Sequence, residues 1–280
     1  MDVLGWLRHR KPNVQPSTLA SYLSEIRSHL RHVHDVTLPR TPRLERVLLR
    51  LQQQPHVSND PMLPVTKTLL RLVAADRATD IAVRTAVLVA YHGLLRVSEY
   101  VSSAAHEFKT NFTLLRSHCT IDAAEDGPRA CLRIPRSKSD RYNDGNNMFY
   151  LSIPGDVCCP VNALACYVHD RRPAADGPLF VKASGAYVTR IDITNALKRA
   201  AVAASLPPSR ISTHSLRMGG AFAMMDANVP WHTIKLRGRW KDETMPLLYA
   251  KLSTARLAVA TAALSSTSMS DSSPLFTATL

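Results

Sequence analysis

Residues 80–95, DIAVRTAVLVAYHGLL, constrain the fold more than any other stretch. After Asp80 the side chains are nearly all apolar, with Arg84 and His92 the interruptions. A helix that is apolar around its whole circumference has to be surrounded by other elements. The stretch is also too short for a membrane span, which needs ~18–20 apolar residues, and no other run in the chain comes near that length. The chain must therefore build a helical core around this segment. At 280 residues and 45% hydrophobic composition it has material for one large domain or two modest ones.

The segments before it read as helical. Apolar residues recur at three and four through Leu19, Tyr22, Leu23, Ile26 and Leu30, with Ser17-Thr18 as the expected cap. A second helix fits Pro42 to Gln53, with Leu44, Val47, Leu48 and Leu51 on one face. Arg27, Arg31, Arg43, Arg46 and Arg50 lie on these two helices and are the candidate contacts of the segment with an anionic partner. The proline-rich, aperiodic QQQPHVSNDPMLP then reads as a linker. It predicts a short helical segment over 1–58, a larger domain over 61–265 and a Ser/Thr-rich, loosely ordered tail over 266–280.

In the larger domain a helix fits TKTLLRLVAAD ahead of the core helix. Three β-type runs follow it, SHCTIDA, RACLRIP and NMFYLSIP, with EDG and RSKSDRYNDGN between them. They predict three short antiparallel strands, with Lys138 in the second connection. Pro160 opens a helix through VNALACYVHDRR, LFVKASG reads as a short strand, and helices fit 190–204 and the stretch from Thr213. The fold class expected is mainly α with a small antiparallel β-sheet.

The formal net charge of +13 favours a polyanionic partner, because each Lys or Arg on a phosphate releases a condensed counterion. No basic amphipathic helix with an aromatic face stands out, which favours nucleic acid over a membrane surface. The start, MDVLGWLRHRKPN, lacks the apolar core and cleavage site of a secretory signal. Five cysteines with no C-x-x-C spacing point to reduced, mostly buried thiols rather than to a metal site or a disulfide framework.

Residues that can handle a phosphodiester concentrate between Thr213 and Tyr249. His214 and Arg217 are one helical turn apart and share a face. Two cations side by side can grip two oxygens of one phosphate, and arginine does so in bidentate fashion. Met218-Gly219-Gly220 offers small residues at which the helix can approach another backbone. A Gly238-Arg239-Trp240 turn follows, then Tyr249, the only tyrosine after Tyr187 and a candidate hydroxyl nucleophile. Upstream, Arg96 stands where the core helix emerges. Glu99, three residues on, falls on the same face if the turn stays helical. Each residue taken alone has an ordinary structural explanation; their joint spacing is what carries the reading.

These motifs resemble the tyrosine recombinase, or phage-integrase, family. HGLLRVSE resembles its first-arginine motif, giving Arg96 with Glu99 as supporting acid. RSKSDRYNDGNN resembles the hairpin with the catalytic lysine, giving Lys138, with Lys109 and Arg141 as alternatives. HSLR resembles the His-x-x-Arg box, and LRGRW stands in the place of the Leu-Gly-His motif, with Trp240 where histidine is commoner. The wording is nearest to integrase-like enzymes of eukaryotic mobile elements. Only about 58 residues precede the larger domain, fewer than the DNA-clamping domain of such enzymes usually has.

The resemblance implies a site-specific recombinase acting on double-stranded DNA without metal, ATP or other cofactor. Tyr249 would form a 3'-phosphotyrosyl link, Arg96 and Arg217 would hold the non-bridging oxygens, and His214 would accept or position the tyrosine proton. Lys138 would protonate the departing 5'-oxygen, and Trp240 would pack against the phosphate site. The family works as a tetramer on two duplexes, off the membrane and wherever the DNA is, the nucleus in a eukaryote. A type IB topoisomerase-like relaxase and a non-catalytic DNA-binding protein of the same fold are the alternative readings.

Overall fold

A computed structural model describes residues 16–37, 41–42, 45–46, 49, 62–111, 113–125, 127–136 and 145–241. The chain divides into two units, Met1–Pro61 and Met62–Leu280. In the first, helix α1 spans Pro16–His34. It starts earlier than the Ser17-Thr18 cap predicts: Pro16 already occupies the first turn, where a residue without an N–H costs nothing. Of the expected second helix, Pro42, Glu45, Arg46 and Leu49 are helical, and the remainder lies outside the described residues.

The second unit is mainly α with one small sheet. Its helices are α2 (Lys67–Ala75), α3 (Ile81–His92), the short α4 (Val97–Tyr100), α5 (Pro160–Arg171), α6 (Arg190–Ala203), α7 (Thr213–Asp226) and α8 (Trp231–Gly238). Side chains that the sequence puts at the starts of these helices cap them. Thr66 accepts from the Leu69 N–H at 3.3 Å, Asp80 from Ala82 at 2.8 Å and Ser212 from His214 at 3.3 Å. Helix α3 is the core element, with Ala82, Val83, Thr85 to Tyr91 all buried. Around it pack Leu69, Leu70 and Val73 of α2, Leu164 and Tyr167 of α5, and Ile193 and Leu197 of α6.

Strands β1 (Cys119–Asp122), β2 (Arg129–Ile134) and β3 (Asn146–Leu151) form an antiparallel sheet in that order. The register sets Cys119 opposite Leu132, Ala130 opposite Tyr150, and Leu132 opposite Met148. Those side chains line the buried face, whereas Phe149 and Leu151 point to solvent, as a period of two requires. LFVKASG does not become a strand. Residues 178–187 make only isolated bridges, Leu115 to Pro178 and Val181 to Tyr187, because the run is consumed by a turn at Gly185 before a ladder can form.

The two glycines of the Met218-Gly-Gly run hold α7 in place. A Cβ at Gly219 would lie 2.0 Å from the Val65 carbonyl oxygen, and one at Gly220 would lie 2.4 Å from the Tyr91 carbonyl oxygen. Helix α7 therefore rests directly on the backbone of the segment leading into α2 and on the end of α3. The Val65 N–H donates to the Ser215 carbonyl at 2.9 Å in the same contact. Cys119, Cys158 and Cys159 are buried, Cys131 is partly so, Cys166 is exposed, and all five are free thiols. Burial pushes the Cys119 thiol up to about 11.

Candidate active site

The core helix stops at His92, and the chain turns through Gly93, Leu94 and Leu95 before α4. Leu94 sits at φ 47°, a left-handed conformation that breaks the helical path. Arg96 and Glu99 therefore do not share a face of one continuous helix, as the sequence suggested. Arg96 is the extended residue that precedes α4, at φ −76° and ψ 144°. They still pair, by a different route. The Glu99 carboxylate accepts the Arg96 backbone N–H at 2.7 Å on one oxygen and the Arg96 Nη1 at 3.0 Å on the other. Glu99 is 2% exposed and is the one buried carboxylate among the described residues, while the Arg96 side chain is 26% exposed. The carboxylate anchors; the guanidinium reaches the surface.

Arg217 is a buried arginine, on the second turn of α7. Its Nη1 donates to the Leu94 carbonyl and its Nη2 to the Gly238 carbonyl. Its guanidinium carbon lies 4.3 Å from the centroid of the Trp240 ring, a cation–π distance. One side chain thus ties α7 to the turn that carries Arg96 and to the end of α8. Trp240 also packs closely on Gly238, where a Cβ would collide with the ring at 1.9 Å.

His214 reaches solvent on the first turn of α7. Its pKa falls below the usual histidine value, first through the protein packed around it and then through the Arg217 and Arg96 charges. The cation charges are the firmer cause, because the ring itself is exposed. Arg217 stands one helical turn after His214 on α7. A lowered pKa favours the neutral imidazole near neutral pH, the form that can accept a proton.

The structure brings Arg96, Glu99, His214, Arg217 and Trp240 together from three separate stretches of chain. Lys138 and Tyr249 lie outside the described residues. Lys138 falls in the connection between β2 and β3. Of the candidate DNA contacts in the first unit, Arg31 and Arg46 are exposed and Arg27 is half-buried, with the Arg46 Nε donating to the Pro42 carbonyl at 3.4 Å. Arg43 and Arg50 also fall outside the described residues.

Two arginines of LRGRW were not singled out by sequence. Arg239 reaches the Glu99 carboxylate at 2.6 Å. Arg237 donates through Nε and Nη2 to the His92 carbonyl at 3.1 and 3.0 Å and through Nη1 to the Phe149 carbonyl at 2.7 Å, and lies 5.1 Å from the Tyr150 ring centroid. It ties β3 to the end of the core helix. The available signal was slight: LRGRW has two arginines and no acid, so their partners had to come from elsewhere in the chain.

A cavity of about 830 Å³ opens beside α4, lined by Val97, Ser102, Lys109, Lys182, Arg190 and Asp192 among others. None of the gathered residues lines it. Among the described residues no three His, Cys, Asp or Glu side chains gather as metal ligands, and no helix is long and apolar enough to cross a membrane.

No protein-family model matches this sequence, and no curated protein matches it. Solved structures do. XerH site-specific recombinase bound to palindromic difH substrate, in a post-cleavage complex, aligns with a TM-score of 0.61 at 12% identity, over 94% of this chain and 71% of that one. The Tn1549 transposon integrase in complex with transposon right end DNA aligns at 0.57 and 14% identity, over 93% and 83%. XerA recombinase aligns at 0.52 and 14% identity, over 90% and 83%. The chain has the tyrosine-recombinase fold. At these identities the likeness concerns the fold.

Proposed function

We propose that this protein is a site-specific DNA recombinase that cuts and rejoins double-stranded DNA through a 3'-phosphotyrosyl intermediate. One observation carries the reading. Arg96, the His214–Arg217 pair and Trp240, from three separate stretches of the chain, gather in a tyrosine-recombinase fold, with Arg217 buried and the buried Glu99 carboxylate anchoring Arg96. The net charge of +13 supports DNA as the partner, as do the DNA complexes of XerH and the Tn1549 integrase.

In this mechanism the Tyr249 oxygen attacks the scissile phosphorus, and its proton passes to the neutral His214 imidazole. Arg96, steadied by Glu99, meets the negative charge that builds on the non-bridging oxygens. Arg217 adds its positive charge from beneath, and Trp240 covers it. The bond to the 5'-oxygen breaks, and Lys138 gives that oxygen a proton. A second 5'-hydroxyl then reverses the step on a new strand. Strand exchange between two duplexes uses four protomers.

The test is covalent trapping on a nicked suicide duplex built from the genomic flanks of the coding sequence. Wild-type protein should form an adduct that resists denaturation, and peptide mapping should place it on Tyr249. Tyr249→Phe should keep DNA binding and lose the adduct. An adduct that persists in that variant removes Tyr249 from the role, and DNA binding without any wild-type adduct favours a non-catalytic DNA-binding protein. Relaxation of supercoiled DNA by a monomer would instead favour the topoisomerase-like reading.

A further inference from the structure

Arg239 occupies a position that its own backbone disfavours. At φ 53° and ψ 41° it closes the C-terminus of α8 in the left-handed conformation, where glycine sits without cost and other residues lose about 1 kcal/mol. A side chain kept there despite that cost should be doing something, and its contacts show what. The side chain is 6% exposed, too deep to meet a ligand directly, and its Nη2 donates to Glu99 Oε2 at 2.6 Å. Nη1 reaches the Arg237 carbonyl at 3.2 Å, the Gly93 carbonyl at 3.4 Å and Met148 Sδ at 2.9 Å.

Glu99 is thus bracketed. Arg96 holds it from the surface side and Arg239 from the interior, on different oxygens for the two guanidinium groups. The arrangement has an electrostatic consequence. Arg96 and Glu99 alone would sum to zero charge, and the acid that orients the arginine would also cancel its attraction for a phosphate. With Arg239 included the trio carries one net positive charge in a poorly solvated setting, where such charge acts strongly.

We infer that Arg239 is a positioning residue for Arg96. It fixes the Glu99 carboxylate from behind and supplies the charge that leaves Arg96 attractive to a phosphodiester oxygen. The role rests on the recombinase reading above and extends it to a residue that touches no substrate.

Single-turnover adduct formation on the suicide duplex tests this with Arg239→Gly, Arg239→Lys, Arg96→Ala and the Arg239→Gly/Arg96→Ala double variant. Glycine suits the left-handed backbone, so the fold should survive, as a thermal melt would check. Arg239→Gly should slow adduct formation about 10–100-fold while changing DNA affinity at fixed salt by less than about threefold. Arg239→Lys, which keeps the charge, should recover part of the rate. In the Arg96→Ala background the same glycine change should cost less than about threefold, since a residue acting through Arg96 has nothing left to act on. Fully multiplicative losses would overturn the inference, as would an unchanged rate in Arg239→Gly.

A wild-type protein that forms no adduct would defeat the recombinase reading but leave the clasp open to judgement. The Arg96 Nε–H NMR resonance, assigned by its loss in Arg96→Lys, should then shift or broaden in Arg239→Gly. An unmoved resonance would overturn the positioning role by itself. Should Arg239→Gly fail to fold, the Arg239→Lys rate and resonance carry the same comparison.

Discussion

Replacing Glu99 by glutamine tests the centre of the site with the least change of shape. The carboxylate receives three donors: the Arg96 backbone N–H and Arg239 Nη2 on Oε2, and Arg96 Nη1 on Oε1. A glutamine has one oxygen and one NH2 group. Its better orientation leaves the oxygen with the two donors on the Oε2 side, so the NH2 faces Arg96 Nη1. One charge-assisted hydrogen bond is lost, at about 1.5–3 kcal/mol, and two guanidinium groups lose their only buried anion among the described residues. Removing one partner from a buried ion pair costs about 3–5 kcal/mol, and the retained hydrogen bonds argue for the lower end, about 3 kcal/mol. For a unit of this size that lowers Tm by about 6–12 °C. Arg96 is released, so adduct formation should fall by about 100-fold or more, the scale on which one preorganised charge contact acts. Scanning calorimetry of the full chain and single-turnover trapping read the two effects. A Glu99→Gln protein that melts within about 2 °C of wild type and cleaves normally would refute the anchoring role.

Gly219→Ala should destabilise by about 1–3 kcal/mol or more, because the new methyl meets the Val65 backbone oxygen, which cannot swing away; an unchanged urea midpoint would show that α7 does not rest where described. The pKa of His214 is lowered, so the imidazole is neutral above its unfolded value of about 6.5 and takes up its proton only at lower pH. The rate of adduct formation should be level around neutral pH and fall toward acid with a limb centred below about 6.5. A limb centred above 6.5 would contradict the cationic surroundings. By the same sign, the contributions to stability of His214 and of the partly buried His92, whose pKa is lowered chiefly by burial, are whole above about 6.5 and are lost as pH falls. Urea denaturation at a series of pH values reads it, and stability rising toward acid would refute it.

Much of the fold was legible because its signals are local. The all-apolar 80–95 stretch had to be central, and α3 is. Alternating runs with polar connections gave a three-stranded sheet, and Pro160, Thr66 and Asp80 mark helix starts that hold. Legibility failed where a longer-range contact decided. LFVKASG has strand composition but pairs only through isolated bridges. The turn at Leu94 interrupts a pattern that reads as continuous helix, and Glu99 recaptures Arg96 across it.

The sequence alone set the residue types and spacings that gather at the site: His214 three residues before Arg217, Arg96 three before Glu99, Gly238 two before Trp240. It also determined the close approach at Gly219-Gly220, since only residues without side chains allow it. Tertiary structure decided the charge states and the allegiances. The His214 pKa is lowered by the protein packed around it and by two arginines, one of which lies far from it in sequence. Arg217 is seated by the Leu94 and Gly238 carbonyls, and Glu99 is divided between Arg96 and Arg239. A pKa and a buried ion pair depend on distance and dielectric through space, and neither is a property of neighbouring positions along the chain.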